Sequence, residues 1–306
     1  MKSTLIFCLL LTFFYADAQK RRPLLHLAKG QTYYLESTAV STSLQSAGSR
    51  ESKVNTTISF RIAFSVTSIA DTLYIIEARY QSLEMKIKLA DTTLNMSSAA
   101  GIKPDTPSVI MSEIVNKPFV VTMTVGGKVQ SIKNLDELIA KAVSGFLAID
   151  SVKKNKVTTQ FVQAFGAASV KGILEMGMAV LPAKPIAKDD KWALNSTISS
   201  PAAAQVHINY QLADLTPDIY FVRGEGTIFS EKNTKPGDLN GMPATYDLNG
   251  SLLNEIKIDQ KTGWINDAKL KQLIEENIEI LDNPKLPGGM TVPMMFTIEM
   301  TISGKP

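Results

Sequence analysis

The stretch Ile58-Ser59-Phe60-Arg61-Ile62-Ala63-Phe64-Ser65-Val66 alternates large apolar residues with small or charged ones without a break. Side chains on a β-strand point to opposite faces with a period of two, so this pattern predicts a strand with one buried face and one wet face. The neighbouring segments read the same way. Thr32 to Leu44 is rich in Thr, Tyr and Val and runs into the turn signal Ala47-Gly48-Ser49. Downstream, a turn near Ala70-Asp71 leads into a strand from Leu73 to Tyr80, and Leu83 to Leu89 reads as a more exposed strand. Ala90 to Pro107 is polar, carries Gly101, Pro104 and Pro107, and reads as a long loop. Phe119 to Val125, a turn at Gly126-Gly127, and Lys128 to Ile132 then form a hairpin.

The middle of the chain, Asn134 to Trp192, changes period. Leu135, Leu138, Ile139, Ala142, Val143 and Phe146 recur at three- and four-residue steps, with Asn134 and Glu137 placed as a capping box. A Lys-rich patch from Ser151 to Lys156 interrupts the pattern. A second helical run carries Phe161, Val162, Phe165, Val170, Ile173, Leu174 and Met178. Gly166, Gly172 and Gly177 each weaken it by about 1 kcal/mol relative to Ala, so packing must hold it or it breaks near Gly166. Pro182 and Pro185 mark its end. These helices read either as a cover over a sheet or as a lid over an apolar pocket.

Beyond them the first half's order returns. Ala187 to Trp192 echoes Leu27 to Thr32, and Val206, Ile208, Tyr210 and Leu212 alternate as residues 58–66 do. Asp214 to Tyr220 matches Ser68 to Tyr74, and Ile256 to Asp259 with Gly263-Trp264-Ile265 mirrors the Gly126-Gly127 hairpin. A helix is expected after it, on Leu270, Leu273, Ile274, Ile278 and Leu281. Tight turns are expected at Asn240-Gly241 and Asn249-Gly250. The last strand places Phe296, Ile298, Met300 and Ile302 on one face. The predicted fold class is α+β: a mostly antiparallel sheet, strongly curved or in two related lobes from an internal duplication, with the central helices packed on one face. The expected divisions are 1–18, a leader; 19–147, a first β-rich repeat with a helix; 148–186, a central helical connection; and 187–306, a second β-rich repeat.

Lys2, the apolar run Leu5 to Tyr15 and Ala16-Asp17-Ala18 have the order of a cleaved secretory signal. The protein is therefore expected to be exported, periplasmic or secreted, and to have no transmembrane span after cleavage. Cys8 is the single cysteine of the chain, so a mature form has no disulfide and must rely on its core. The net charge of +3 is spread along the 306 residues. Lys20, Arg21 and Arg22 form the one dense basic cluster, so no nucleic-acid footprint is expected.

Candidate chemistry is sparse. His26 and His207 are the two histidines, too few and too distant for a zinc site without cysteine. No Gly-x-Ser-x-Gly elbow accompanies His207. The adjacent carboxylates Asp136-Glu137, Asp189-Asp190 and Glu275-Glu276 read as solvated or turn residues. Asp238-Leu239-Asn240-Gly241 and Asp247-Leu248-Asn249-Gly250 lack the ligand set of a calcium loop. No cofactor or metal is expected.

Several stretches together resemble a family of secreted bacterial proteins described as a domain of unknown function, number 6263. They are the leader ending Ala16-Asp17-Ala18-Gln19, Leu27-Ala28-Lys29-Gly30-Gln31-Thr32-Tyr33, Leu181-Pro182-Ala183-Lys184-Pro185-Ile186 through Trp192, and Thr262-Gly263-Trp264. Asp189-Asp190 stands where the resemblance leads one to expect a Gly-Asp pair. The family implies no activity. More loosely, long antiparallel strands with helices against them are similar to the half-barrels of periplasmic lipoprotein carriers, a likeness of fold that does not fix function.

The expectation is an exported, non-enzymatic protein that binds an apolar or amphipathic ligand through Phe146, Phe161, Phe165, Ile173 and Met178. The alternative is a structural or protein-interaction module of the cell envelope, with an envelope protein as partner.

Overall fold

A computed structural model describes residues 20–47, 50–99, 105–145, 151–198, 204–230, 236–239 and 241–305. The strands are β1 (Thr32–Ala47), β2 (Arg50–Ala70), β3 (Leu73–Lys88), β4 (Thr93–Ser97), β5 (Pro118–Thr124), β6 (Val129–Lys133), β7 (Lys191–Ile198), β8 (Ala204–Leu215), β9 (Ile219–Ser230), β10 (Gly237–Asp238), β11 (Pro243–Asp259), β12 (Ile265–Ile280) and β13 (Met290–Ser303). The helices are α1 (Thr106–Ile114), α2 (Leu135–Ser144), α3 (Ser151–Phe165) and α4 (Ala167–Met178). All strands belong to one antiparallel sheet in the order β6-β5-β3-β2-β1-β13-β12-β11-β9-β8-β7, with β4 on β3 and β10 on β11. β6 and β7 are its edges, so the sheet is open among the described residues. The expected α+β class with a mostly antiparallel sheet stands.

The alternation read from residues 58–66 sets the two faces. Phe60, Ile62, Phe64 and Val66 are buried, as are Tyr74, Ile76, Ala78 and Tyr80 of β3 and Phe119, Val121 and Met123 of β5. They form one core with Phe165, Ile173, Leu174 and Met178 from the helices, which lie on this inner face. The outer face carries ion pairs such as Arg61–Glu36 (3.4 Å) and Lys271–Glu299 (3.1 Å). Exposed pairs like these add little stability, but they mark the wet side.

Each half runs as a meander, β1-β2-β3-β5-β6 and β7-β8-β9-β11-β12, with matching local geometry. Gly30 N donates to Val66 O and Val66 N to Gln31 O; Asp189 N donates to Leu212 O and Leu212 N to Asp190 O. Ladder register then shifts between Val66 and Ser68 in β2 and between Leu212 and Asp214 in β8. Gly30 has φ +82° and Asp189 has φ +70°. Left-handed backbone favours glycine, with Asn and Asp next best. Asp189 thus takes the same turn, and its carboxylate accepts a bond from Gln211 Nε2 at 3.1 Å. Trp264 ties the halves together. Its Nε1 donates to Tyr34 O (2.8 Å), and its ring lies 5.5 Å from that of Phe64.

Several expectations need correction. Residues 90–107 are not one loop, since they contain β4 and the start of α1. Asp105 accepts from Ser108 N at 2.7 Å, and Pro107 occupies the first turn, where no donor is needed. Asn134 makes no capping bond and sits at φ +70°. The neighbouring Asp136 instead accepts from Ala167 N (2.8 Å) and satisfies the start of α4. The Lys-rich patch from Ser151 is helical, because Lys is a good helix former on a wet face. Lys154 Nζ reaches Ser144 O at the end of α2. The break at Gly166 is found. α3 ends at Phe165 and α4 starts at Ala167, and a Cβ at Gly166 between them would lie 2.4 Å from Val162 O, so the position takes glycine.

Leu270, Leu273, Ile274 and Ile278 lie in strand β12 (Ile265–Ile280), not in a helix, and Leu281 follows it. Leu270, Ile274 and Ile278 fit a period of two as well as one near four, and pairing to β11 and β13 decides the conformation. Asn249-Gly250 lies mid-strand in β11, held by ladders to β9 and β12 that override its turn preference. Asn240 lies outside the described residues. Its neighbour Gly241 has φ +77° in a turn closed by reciprocal bonds between Leu239 and Met242.

Candidate ligand-binding face

The groups that could carry conventional chemistry are placed in structural roles. His207 Nδ1 and Asn195 Oδ1 share a bond of 2.5 Å on exposed β-strand surface. Asp190 accepts from Ala187 N at 3.0 Å within its turn. Glu275 and Glu276, adjacent on β12, point to opposite faces. Among the described residues no group of three or more His, Cys, Asp or Glu is arranged to hold a metal. No helix among them is long and apolar enough to cross a membrane.

Four of the five residues expected from sequence to line a ligand site are buried in the main core. Phe165 packs 6.1 Å from Phe161 and meets Tyr80 edge-on at 6.4 Å, while Tyr80 donates its hydroxyl to Phe165 O at 2.6 Å. Ile173 and Met178 sit under α4 in the same core. Phe146 lies outside the described residues. Burial pushes the Tyr80 hydroxyl far above its ordinary range, so it stays a neutral donor.

The inner face of the sheet extends well past these helices. Register assembles its far half into rungs across β12, β13, β1, β2 and β3. One runs Leu270–Met300–Ala39–Ile58–Met85 and the next Gln272–Ile298–Ser41–Thr56–Ile87. A third runs Ile274–Phe296–Ser43–Val54 and a fourth Glu276–Met294–Gln45–Ser52. Met300, Ile298, Phe296, Met294, Ile274, Val54, Ile58 and Met85 on these rungs are half-buried rather than closed off. On the other flank Leu248, Ile208 and Leu194 continue the same surface. It is an apolar surface without a helical cover, and the ion pairs of the sheet lie on the opposite side.

Glu276 is the carboxylate on these rungs. It is 7% exposed and makes no hydrogen bond or ion pair with a described residue. A cavity of about 380 Å³ opens beside it, lined by Gln45, Glu276 and Met294 from this face and by Glu51, Glu275, Met295 and others from the outer face. A second groove, of about 720 Å³, lies between α1 and α2 and is lined by Val109, Glu113, Lys117, Leu138 and Lys141 among others. Burial raises the Glu276 carboxyl above the ordinary carboxylate range. The folded chain therefore holds this proton more tightly than the unfolded chain. Stability is greatest when the group is neutral and falls as pH rises through the raised folded value. Glu276→Gln should raise the denaturant midpoint at about pH 7 and change it little at about pH 4, where the carboxyl is already protonated. An equal gain at both pH values would contradict this assignment.

The DUF6263 family of unknown function matches residues 71–265. The chain belongs to this family. No curated protein matches the chain. Among solved structures it is similar to lipovitellin, in a study of lipid–protein interactions, with 11% identity over 92% of this chain and a TM-score of 0.47. The chain spans 26% of that protein's length. It also resembles an outer membrane channel from Pseudomonas putida F1, with 8% identity, 90% and 97% of the two chains covered and a TM-score of 0.25. A third likeness is DynF of the dynemicin biosynthesis pathway of Micromonospora chersina, with 10% identity, 95% and 89% covered and a TM-score of 0.23.

The DUF6263 span opens at the β2–β3 turn and closes at the first residue of β12. β1, β2, β13 and all of β12 but its first residue, which build much of the apolar face, lie outside it. The β13 part was visible in the sequence as the alternation of Phe296, Ile298 and Met300. Glu276 was missed because its strand carries a helix-like spacing. The β1 part was missed because its inward residues are mostly serine.

Proposed function

We propose that this family member is an exported, non-enzymatic protein that binds an apolar or amphipathic ligand on the inner face of its sheet. The observation that carries the reading is the set of half-buried rungs from Leu270–Met85 to Glu276–Ser52. They continue the core's apolar face beyond the last helix. Burying such a surface contributes about 25 cal/mol for each Å² of apolar area covered, which favours an apolar occupant over water. The order of Lys2, Leu5 to Tyr15 and Ala16-Asp17-Ala18 supports export and cleavage after Ala18.

The paired turns at Gly30 and Asp189, and the register shifts that follow them, support descent of the two meanders from one duplicated unit. Curving of so long a sheet around its inner face would suit a ligand, and strand twist makes curving the usual outcome. Strand-for-strand superposition of the two meanders tests the duplication.

A second reading, a protein-interaction module of the bacterial cell envelope, is favoured by Phe229, Leu253 and Leu273. All three are exposed apolar residues on the outer face, which also carries the ion pairs. Native mass spectrometry of protein purified from an exporting host, followed by organic extraction, separates the two. The ligand reading expects a stoichiometric lipid-like adduct. A clean apo mass across several preparations contradicts it and favours the interaction module.

A further inference from the structure

The apolar face is not flat along β1. The inward residues of that strand are Ser37, Ala39, Ser41 and Ser43, all small. The strands beside it present Met300, Ile298 and Phe296 from β13 and Phe60, Ile58, Thr56 and Val54 from β2. Small side chains between larger ones leave a slot parallel to the strand. The rise per residue gives it a length of about 20 Å from Ser37 to Ser43.

Each end of this slot holds a buried polar group with no partner among the described residues. At the inner end Ser37 is 1% exposed, and its Oγ makes no hydrogen bond. Beyond Ser43, Glu276 stands unpaired on the rung Glu276–Met294–Gln45. At that end the inner face presents Glu276, Gln45 and Met294; Glu51 and Glu275 line the neighbouring cavity from the outer face, and no Lys or Arg lines it. The two ends are therefore different. Leu35, Phe60 and Ile302 close the inner end, so it has no room for a charged group. The outer end is acidic.

We propose that the slot holds one extended aliphatic chain of an amphiphile whose headgroup is a protonated amine, seated at Glu276 and Gln45 with its tail running toward Ser37. This deepens the ligand-binding reading and rests on it. A carboxylate stripped of water is costly unless a cation or hydrogen-bond donor offsets the loss. An ammonium group supplies both charge and three donors. An anionic headgroup would meet the Glu276 carboxylate instead.

The test is displacement of Nile red from the mature chain by hexadecylamine and by hexadecanoate, each below its micelle concentration. Wild-type protein should bind the amine about tenfold or more tightly than the acid, the size of one hydrogen bond to a charged group. Glu276→Gln, which keeps the shape, should erase that preference while leaving chain binding intact. Ser41→Phe, which fills the slot, should weaken both ligands. Equal affinity for the two headgroups in wild type, with Ser41→Phe unaffected, overturns the slot and its headgroup but leaves an apolar ligand elsewhere on the face. Failure of both compounds to displace the dye overturns both readings.

Discussion

Replacing Phe165 with Ala lowers the stability of the fold by about 3–5 kcal/mol, the range for removing a fully buried aromatic side chain. The ring is 0% exposed and sits where α3 ends against β3, touching both Phe161 and Tyr80. The surroundings are poorly placed to collapse into the space. Asp136 fixes the start of α4 through its bond to Ala167 N. Tyr80→Phe is the informative partner. It leaves the ring packing but strips the Phe165 carbonyl of its 2.6 Å bond, with an expected loss of about 1–3 kcal/mol. Urea unfolding measures both, with an unchanged slope showing that stability rather than compactness has moved. The measurement also separates the two roles open to Phe165. A core residue loses stability first, whereas a ligand residue would lose binding with its unfolding midpoint intact.

The sheet was legible wherever a strict period of two coincided with large apolar side chains. Residues 58–66, the hairpin at Gly126-Gly127 and the final strand all stand where the sequence puts them. The pattern failed where two periods fit the same residues. Leu270, Ile274 and Ile278 satisfy a helix as well as a strand, and only pairing with the flanking β11 and β13 selects the strand. Asn249-Gly250 shows the converse, a strong local turn signal overridden by ladders on both sides. Short elements were lost in polar surroundings. α1 depends on one cap at Asp105, and β4 on pairing with the end of β3.

The apolar face was the hardest part to read. Nothing in a list of residues distinguishes a half-buried Met300 or Phe296 from a member of the closed core. That distinction depends on where the helices stop. Phe161, Phe165, Ile173 and Met178 drew attention because they lie on helices rich in Gly and Met, and the structure places them beneath that cover. The surface left open comes from strands nearly a chain length apart, with β1 and β13 adjacent in the sheet. Serines at Ser37, Ser41 and Ser43 read as an ordinary polar strand until their neighbours are known.

A charge placed on that open face should destroy ligand binding, whereas the same charge on the reverse of the same strand should not. Ile298 faces inward on β13 and is half-buried on the rung with Ser41; Thr297, next to it, is exposed on the outer face. Ile298→Lys therefore puts an ammonium group where the apolar occupant would lie, and desolvating that charge without a partner is expected to weaken binding about tenfold or more. Thr297→Lys adds the same charge to the wet side. Saturable Nile red binding to wild type, Thr297→Lys and Ile298→Lys, with urea midpoints recorded for each, is the direct measurement. The account predicts that wild type and Thr297→Lys bind alike while Ile298→Lys loses the dye and remains folded. Undiminished binding by Ile298→Lys, or loss confined to Thr297→Lys, would contradict a ligand site on the inner face of the sheet.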